Sequence, residues 1–145
     1  MSFLALFSPF TTLAFQSSLS AGKEAPKCSE QSQFETLVAR GRDTKVPVAA
    51  RESALEEAVK LCPQNPAAVE SLTALFLQQR DFQQALNFVH GGLKVTPGNA
   101  NLLLELGTIF LSAGRPQQAL SLFKGLPDSA KTEFYLGMTY RALLD

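Results

Sequence analysis

The segment Asp81-Phe82-Gln83-Gln84-Ala85-Leu86-Asn87-Phe88-Val89-His90-Gly91 returns 34 positions later as Arg115-Pro116-Gln117-Gln118-Ala119-Leu120-Ser121-Leu122-Phe123-Lys124-Gly125. The same offset carries Leu72, Phe76 and Leu77 onto Leu106, Phe110 and Leu111, Asn65 onto Asn99, and Pro63 onto Pro97. Agreement at one offset over so many positions marks an internal repeat, which decides the fold before any single residue does.

Each period reads as two helices. Between Ala67 and Gln79 the apolar residues Val69, Leu72, Leu75 and Phe76 recur at spacings of three and four, which lines one helical face. Asp81 is placed to cap a second helix over about Phe82 to Val95, with Ala85, Leu86, Val89 and Leu93 on its inner face. In the next period Gly114 falls where a helix end favours positive φ, and Pro116 where a first helical residue tolerates a missing donor. Short turns then require the two helices of a period to run antiparallel.

Working outward, Leu136-Gly137-Met138-Thr139-Tyr140 predicts a further first helix near the end of the chain. Upstream, Glu30 to Arg42 and Arg51 to Cys62 predict an irregular first pair, with Leu55 and Ala58 on the inner face and an unusually long connection from Gly41 to Val48. The 145 residues, 46% of them apolar, suit one domain, and the scarcity of β-branched residues beside Leu, Ala and Gln points to an all-α class. Thirteen basic residues balance thirteen acidic ones, so no net field favours nucleic acid.

These residues resemble the tetratricopeptide repeat, whose pattern is W-x2-L-G-x2-Y, then A-x3-F, then P. Leu103, Leu106-Gly107, Phe110, Ala119, Phe123 and Pro127 carry it in one unit, and Val69, Leu72, Phe76, Ala85, Val89 and Pro97 in the preceding one, with Thr73 in place of the Gly. The resemblance implies a right-handed α-solenoid of about three antiparallel helix pairs plus a terminal helix, in units 28–65, 66–99, 100–129 and 130–145. In this reading small Ala85, Gly107, Ala119 and Gly137 let helix axes approach, while Phe76, Phe110, Phe123 and Tyr140 fill the space between hairpins.

The resemblance further implies a protein or peptide partner held on the concave face. By register that face carries Ala67, Glu70, Ala74, Leu77 and Gln78, then Asn101, Leu104, Thr108, Leu111 and Ser112, then Lys131, Phe134, Met138 and Arg141. Leu104, Leu111, Phe134 and Met138 are expected to form an apolar patch. Where one subgroup of the family grips a terminal carboxylate with Lys and Asn, this chain has Glu70, Ala74, Leu104 and Thr108. The other reading is a structural array, or a piece of a longer repeat protein, whose face packs on further repeats.

Residues Phe3 to Phe15 are apolar, no charge precedes Lys23, and the small and polar residues Gln16 to Gly22 follow, which predicts an export signal over 1–21, cleaved after Ala21, with 22–27 as a linker. No basic residue precedes the apolar stretch; an upstream start would account for that, and a loosely held hydrophobic tail is the alternative. The apolar run is too short to predict a transmembrane span. The hairpin of the first unit brings Cys28 and Cys62 to one end, where export would permit a disulfide; two separate small apolar side chains is the competing reading. The single His90, matched by Lys124, is expected on a solvent-facing position. Glu52, Glu56 and Glu57 are expected on a solvated face near Lys60. With no phosphate loop, nucleophile motif or metal-ligand set, neither enzyme activity nor a cofactor or metal is predicted.

Overall fold

The computed structural model describes residue 28 and residues 30–145; the predicted leader and linker lie outside the described residues. The chain there forms seven helices: α1 (Gln31–Arg42), α2 (Val48–Leu61), α3 (Pro66–Gln78), α4 (Phe82–Val95), α5 (Ala100–Ser112), α6 (Pro116–Phe123) and α7 (Ala130–Leu144). No strand occurs among the described residues. The expected three pairs are α1/α2, α3/α4 and α5/α6, with α7 as the terminal helix.

The repeat is visible in the hydrogen bonds that start and stop these helices. Asn65 and Asn99, 34 residues apart, cap α3 and α5 by accepting from the backbone N–H of Ala67 in one case and of Asn101 and Leu102 in the other. Asp81 caps α4 by accepting from Gln84, as the sequence predicts. At the far ends, Arg80 donates its backbone N–H to Leu77 and Asp81 to Phe76, while Gly114 donates to Leu111 and Arg115 to Phe110. This is the same helix-ending turn twice, and it needs a left-handed residue, Arg80 at φ 61° and Gly114 at φ 74°.

Why the array curves follows from which helices touch. α1 packs on α3, α3 on α5 and α5 on α7, whereas the backbones of α2, α4 and α6 stand farther from one another. Close approach on one side and spacing on the other bends the stack so that the odd-numbered helices line its concave face. Between the layers runs a nearly continuous core. Phe34, Val38, Ala58, Cys62 and Ala68 join α1, α2 and α3; Leu55, Leu72, Val89, Leu102 and Ile109 join α2 through α5; Leu104, Ala119 and Phe123 join α5 to α6. Leu55, Leu72 and Leu102 are fully buried, each worth roughly 1.5–3 kcal/mol of transfer free energy.

Glycine sets the spacing within a pair at Gly107, where a Cβ would overlap the ring of Phe123, and Gly92 does the same between α4 and α5, a Cβ there lying 2.9 Å from Leu102. Three expectations are corrected, for Gly137, Tyr140 and the first connection. Gly137 has open space around it and is exposed, and Tyr140 is 46% exposed, because among the described residues no helix packs on that face of α7. The long first connection is only Asp43 to Pro47, because α2 starts at Val48; Asp43 steadies the turn by accepting from the Lys45 N–H. In the third unit α6 stops at Phe123, so the second helix is shorter than α4. Phe110, half-buried, packs against both the central cluster and the α5–α6 cluster, as expected.

Candidate protein-binding groove

Three hollows lie along the concave side, and they divide the residues predicted for the groove. The first, about 340 Å³, is lined by Gly41, Arg42, Thr44, Arg51, Glu70, Ser71, Ala74, Leu75 and Gln78, and so joins the α1–α2 turn to α3. The second, about 280 Å³, contains Asn101, Leu104, Lys131 and Thr132 with the turn residues Leu126 and Pro127. The third, about 320 Å³, lies between α5 and α7 against Thr108, Leu111, Ser112, Tyr135, Met138 and Arg141.

Register thus places most of these residues on one side, but it does not make them one apolar patch. Leu104 is 4% exposed and packs with Ala119 and Phe123, so it floors its hollow and belongs to the core. Leu77 is half-buried and packs against the central core. Leu111 and Met138 share the third hollow, while Phe134, 61% exposed, lines none of the three and sets its ring edge-on to Tyr135. The apolar surface is therefore concentrated on α7, and the α3 end of the groove is polar.

The polar end has a defined hydrogen-bond arrangement. Arg42 donates through Nε to Ser71 Oγ at 2.8 Å and through Nη2 to the Ala67 carbonyl at 3.4 Å, tying α1 to α3. Arg51 donates through Nε to the Gly41 carbonyl at 2.9 Å, which satisfies an acceptor at the end of α1. Glu70 reaches the same hollow with Oε1 buried and unpaired. Sequence reasoning did not single out the two arginines, since they lie in the degenerate first unit where the repeat gives no register.

Toward α7, Glu105 Oε1 lies 3.5 Å from Lys131 Nζ. Burial pushes the Glu105 carboxyl above its ordinary value; Lys131 opposes this by charge and hydrogen bond, and nearby Glu70 adds to the rise. On the outer side His90 is exposed, as expected. Cys28 and Cys62 are joined as a disulfide, with Cα atoms 5.4 Å apart, beside Phe34 and Val38. Among the described residues, no group of three or more His, Cys, Asp or Glu could hold a metal ion, and no helix is long and apolar enough to cross a membrane.

Helix pairs stacked in register, an inner face of odd-numbered helices and no metal-ligand cluster among the described residues define an α-helical repeat array of the kind that presents a surface. Residues 76–138 match the family model of the tetratricopeptide repeat, and this stretch of the chain is built of such repeats. The match runs from within α3 to within α7, covering the regular units and leaving the α1/α2 pair outside. Such repeats generally serve as non-catalytic scaffolds, which points to protein partners. No curated protein matches the chain in sequence.

Proposed function

We propose that the chain is an exported scaffold that binds a protein partner through the concave face of α1, α3, α5 and α7. The observation that carries the binding side is the succession of three hollows along the odd-numbered helices, polar at the α1–α3 end and apolar at α7. Export is supported by the uncharged apolar stretch before Lys23 and by the pairing of Cys28 with Cys62, a bond that persists in oxidising compartments.

Two measurements test this reading. Mass spectrometry of the chain recovered from its native compartment should give a species beginning at Gly22 with Cys28 and Cys62 bonded; an intact Met1 or free thiols would overturn export. Cross-linking capture of compartment proteins should give a saturable partner that is lost with Phe134→Glu plus Met138→Glu, both exposed, while the helical content is unchanged. Binding that survives this pair moves the interface off the α7 end. A second reading, in which further helices cover α7, is favoured by the open space at Gly137 and by the exposure of Tyr140 and Leu144. It expects the isolated chain to self-associate or to lose α7 first, whereas a terminal cap gives a monomer.

A further inference from the structure

The outward side of α7 is bare, since among the described residues only α5 and α6 pack on this helix. Thr132 and Thr139 are buried, and Tyr135 and Leu136 join the α5–α6 core. Glu133, Phe134, Gly137, Tyr140, Arg141 and Leu144 are exposed and recur at spacings of three and four, which makes them one face. Around Gly137 this face is complementary to itself. Four residues before it stands Glu133 and four after it Arg141; three before it Phe134 and three after it Tyr140; seven before it Ala130 and seven after it Leu144. A two-fold axis through Gly137 lays two copies of such a helix antiparallel and brings each residue to its reflected position: carboxylate on guanidinium, ring on ring, small apolar side chain on large.

The groups on this face are ready for such a match. Nothing lies within 4 Å of a Cβ built on Gly137, so at the centre of the crossing two backbones can approach with no side chain between them. Phe134 is edge-on to Tyr135 at 5.4 Å between centroids, and Lys124 Nζ stands 5.9 Å from the centre of the Tyr140 ring, so both rings are positioned beforehand. Glu133 and Arg141 have no ion pair among the described residues. A parallel pair would set each of these charges against its own kind, so the charges select the antiparallel register.

We infer that α7 is a contact between two copies of this chain, packed antiparallel on the face centred at Gly137, with Glu133 of one copy meeting the partner's Arg141 and Phe134 the partner's Tyr140. The inference goes beyond the scaffold reading and does not depend on it: Met138 and Ala142, which line the third hollow, lie on the neighbouring stripe of the helix. One 15-residue helix from each copy makes a contact at the small end of specific interfaces, about 1,200 Å² or less in total. The pair therefore has a dissociation constant on the order of 100 μM, and α7 keeps its open face in dilute chain.

The test follows the mass of the full chain, disulfide intact, by sedimentation equilibrium from about 5 μM to about 1 mM, a range that brackets the expected affinity. The same is done for Glu133→Arg, for Arg141→Glu and for their equimolar mixture. The parent is expected to pass from monomer to dimer. Each variant alone sets like charges at both ends of the contact and should self-associate about fivefold more weakly or less, with helical content unchanged. Mixed, the two variants restore opposite charges at both ends and should regain the parent's affinity. A parent that stays monomeric throughout overturns the pair and leaves the face to further repeats or to another protein. A mixture that associates no better than its components, or association that both variants retain in full, overturns it as well. Because the readout is the mass of this chain alone, failure to capture a groove partner bears on the scaffold reading and not on this contact.

Discussion

Gly107 and Gly137 occupy the same place in the repeated L-G motif and face opposite situations. At Gly107 any side chain meets the ring of fully buried Phe123; at Gly137 nothing lies within reach. Gly107→Ala should therefore destabilise the chain by about 1–3 kcal/mol through overpacking. Gly137→Ala should stabilise it by roughly 0.5–1 kcal/mol, because alanine restricts the unfolded chain and suits a helix interior. Denaturant midpoints of the two variants measure the difference in sign, and equal effects would mean that α7 is covered in solution. The motif in the sequence announced a small residue at both positions. It could not announce whether a neighbour is present, since contact depends on what stacks next. Arg80 shows the reverse: its register with Gly114 implies left-handed backbone, yet a bulky basic residue gives no local sign of it.

At the level of helices and their links, the clear parts of the sequence were those with strong periodicity. The bounds of α4 and its Asp81 cap follow directly from the pattern, whereas α2 begins three residues before the predicted Arg51, with Pro47 as the N-cap residue whose carbonyl accepts from the Ala50 and Arg51 N–H groups. The disulfide ties the outer end of α1/α2, the unit with least repeat character. Cys28 and Cys62 are separated by 34 residues, and closing a loop of that size restricts the unfolded chain by about 3–4 kcal/mol in the entropic account. Cys28→Ser with Cys62→Ser should lose on the order of that stability, read from denaturant curves of parent and variant. The Glu105–Lys131 pair is the corresponding link at the other end. The folded-state pKa of Glu105 lies above its ordinary 4.5, so the stability this group gives is full below the ordinary value and is lost as pH rises through the raised one. Glu105→Gln, which stays uncharged, should match the parent in acid and gain on it progressively as pH rises through that window. Loss of the Lys131 contact works against the gain only weakly, since the Lys131 side chain is 53% exposed. Thermal midpoints of both chains across the carboxylate range check the slope.

For the whole molecule, each pair meets only its neighbours, so stability is distributed along the stack and the ends are weakest. Hydrogen exchange should accordingly run fastest in α7, which has one open face, and slowest in α3 to α5 around Leu72, Leu102 and Ile109, with the disulfide slowing α1 relative to its degenerate sequence. Uniform protection along the chain would contradict a stack of this kind. The inner face was partly legible at this scale: Glu70, Ala74, Thr108, Leu111, Met138 and Arg141, assigned to it by register, line hollows there, since a shared helical face needs only the period. Register did not show that Leu104 is buried against Ala119 and Phe123 at the floor of its hollow, since depth depends on what packs behind a residue, which no period encodes.

The gaps between α2, α4 and α6 have a mechanical side as well. The backbones of the inner helices lie close together and those of the outer ones farther apart, so any change of curvature would move α2, α4 and α6 most and act on the side chains they share in the central core, such as Leu55, Val89 and Leu122. The Arg42 tether between α1 and α3 fixes the inner edge at the first step of the stack.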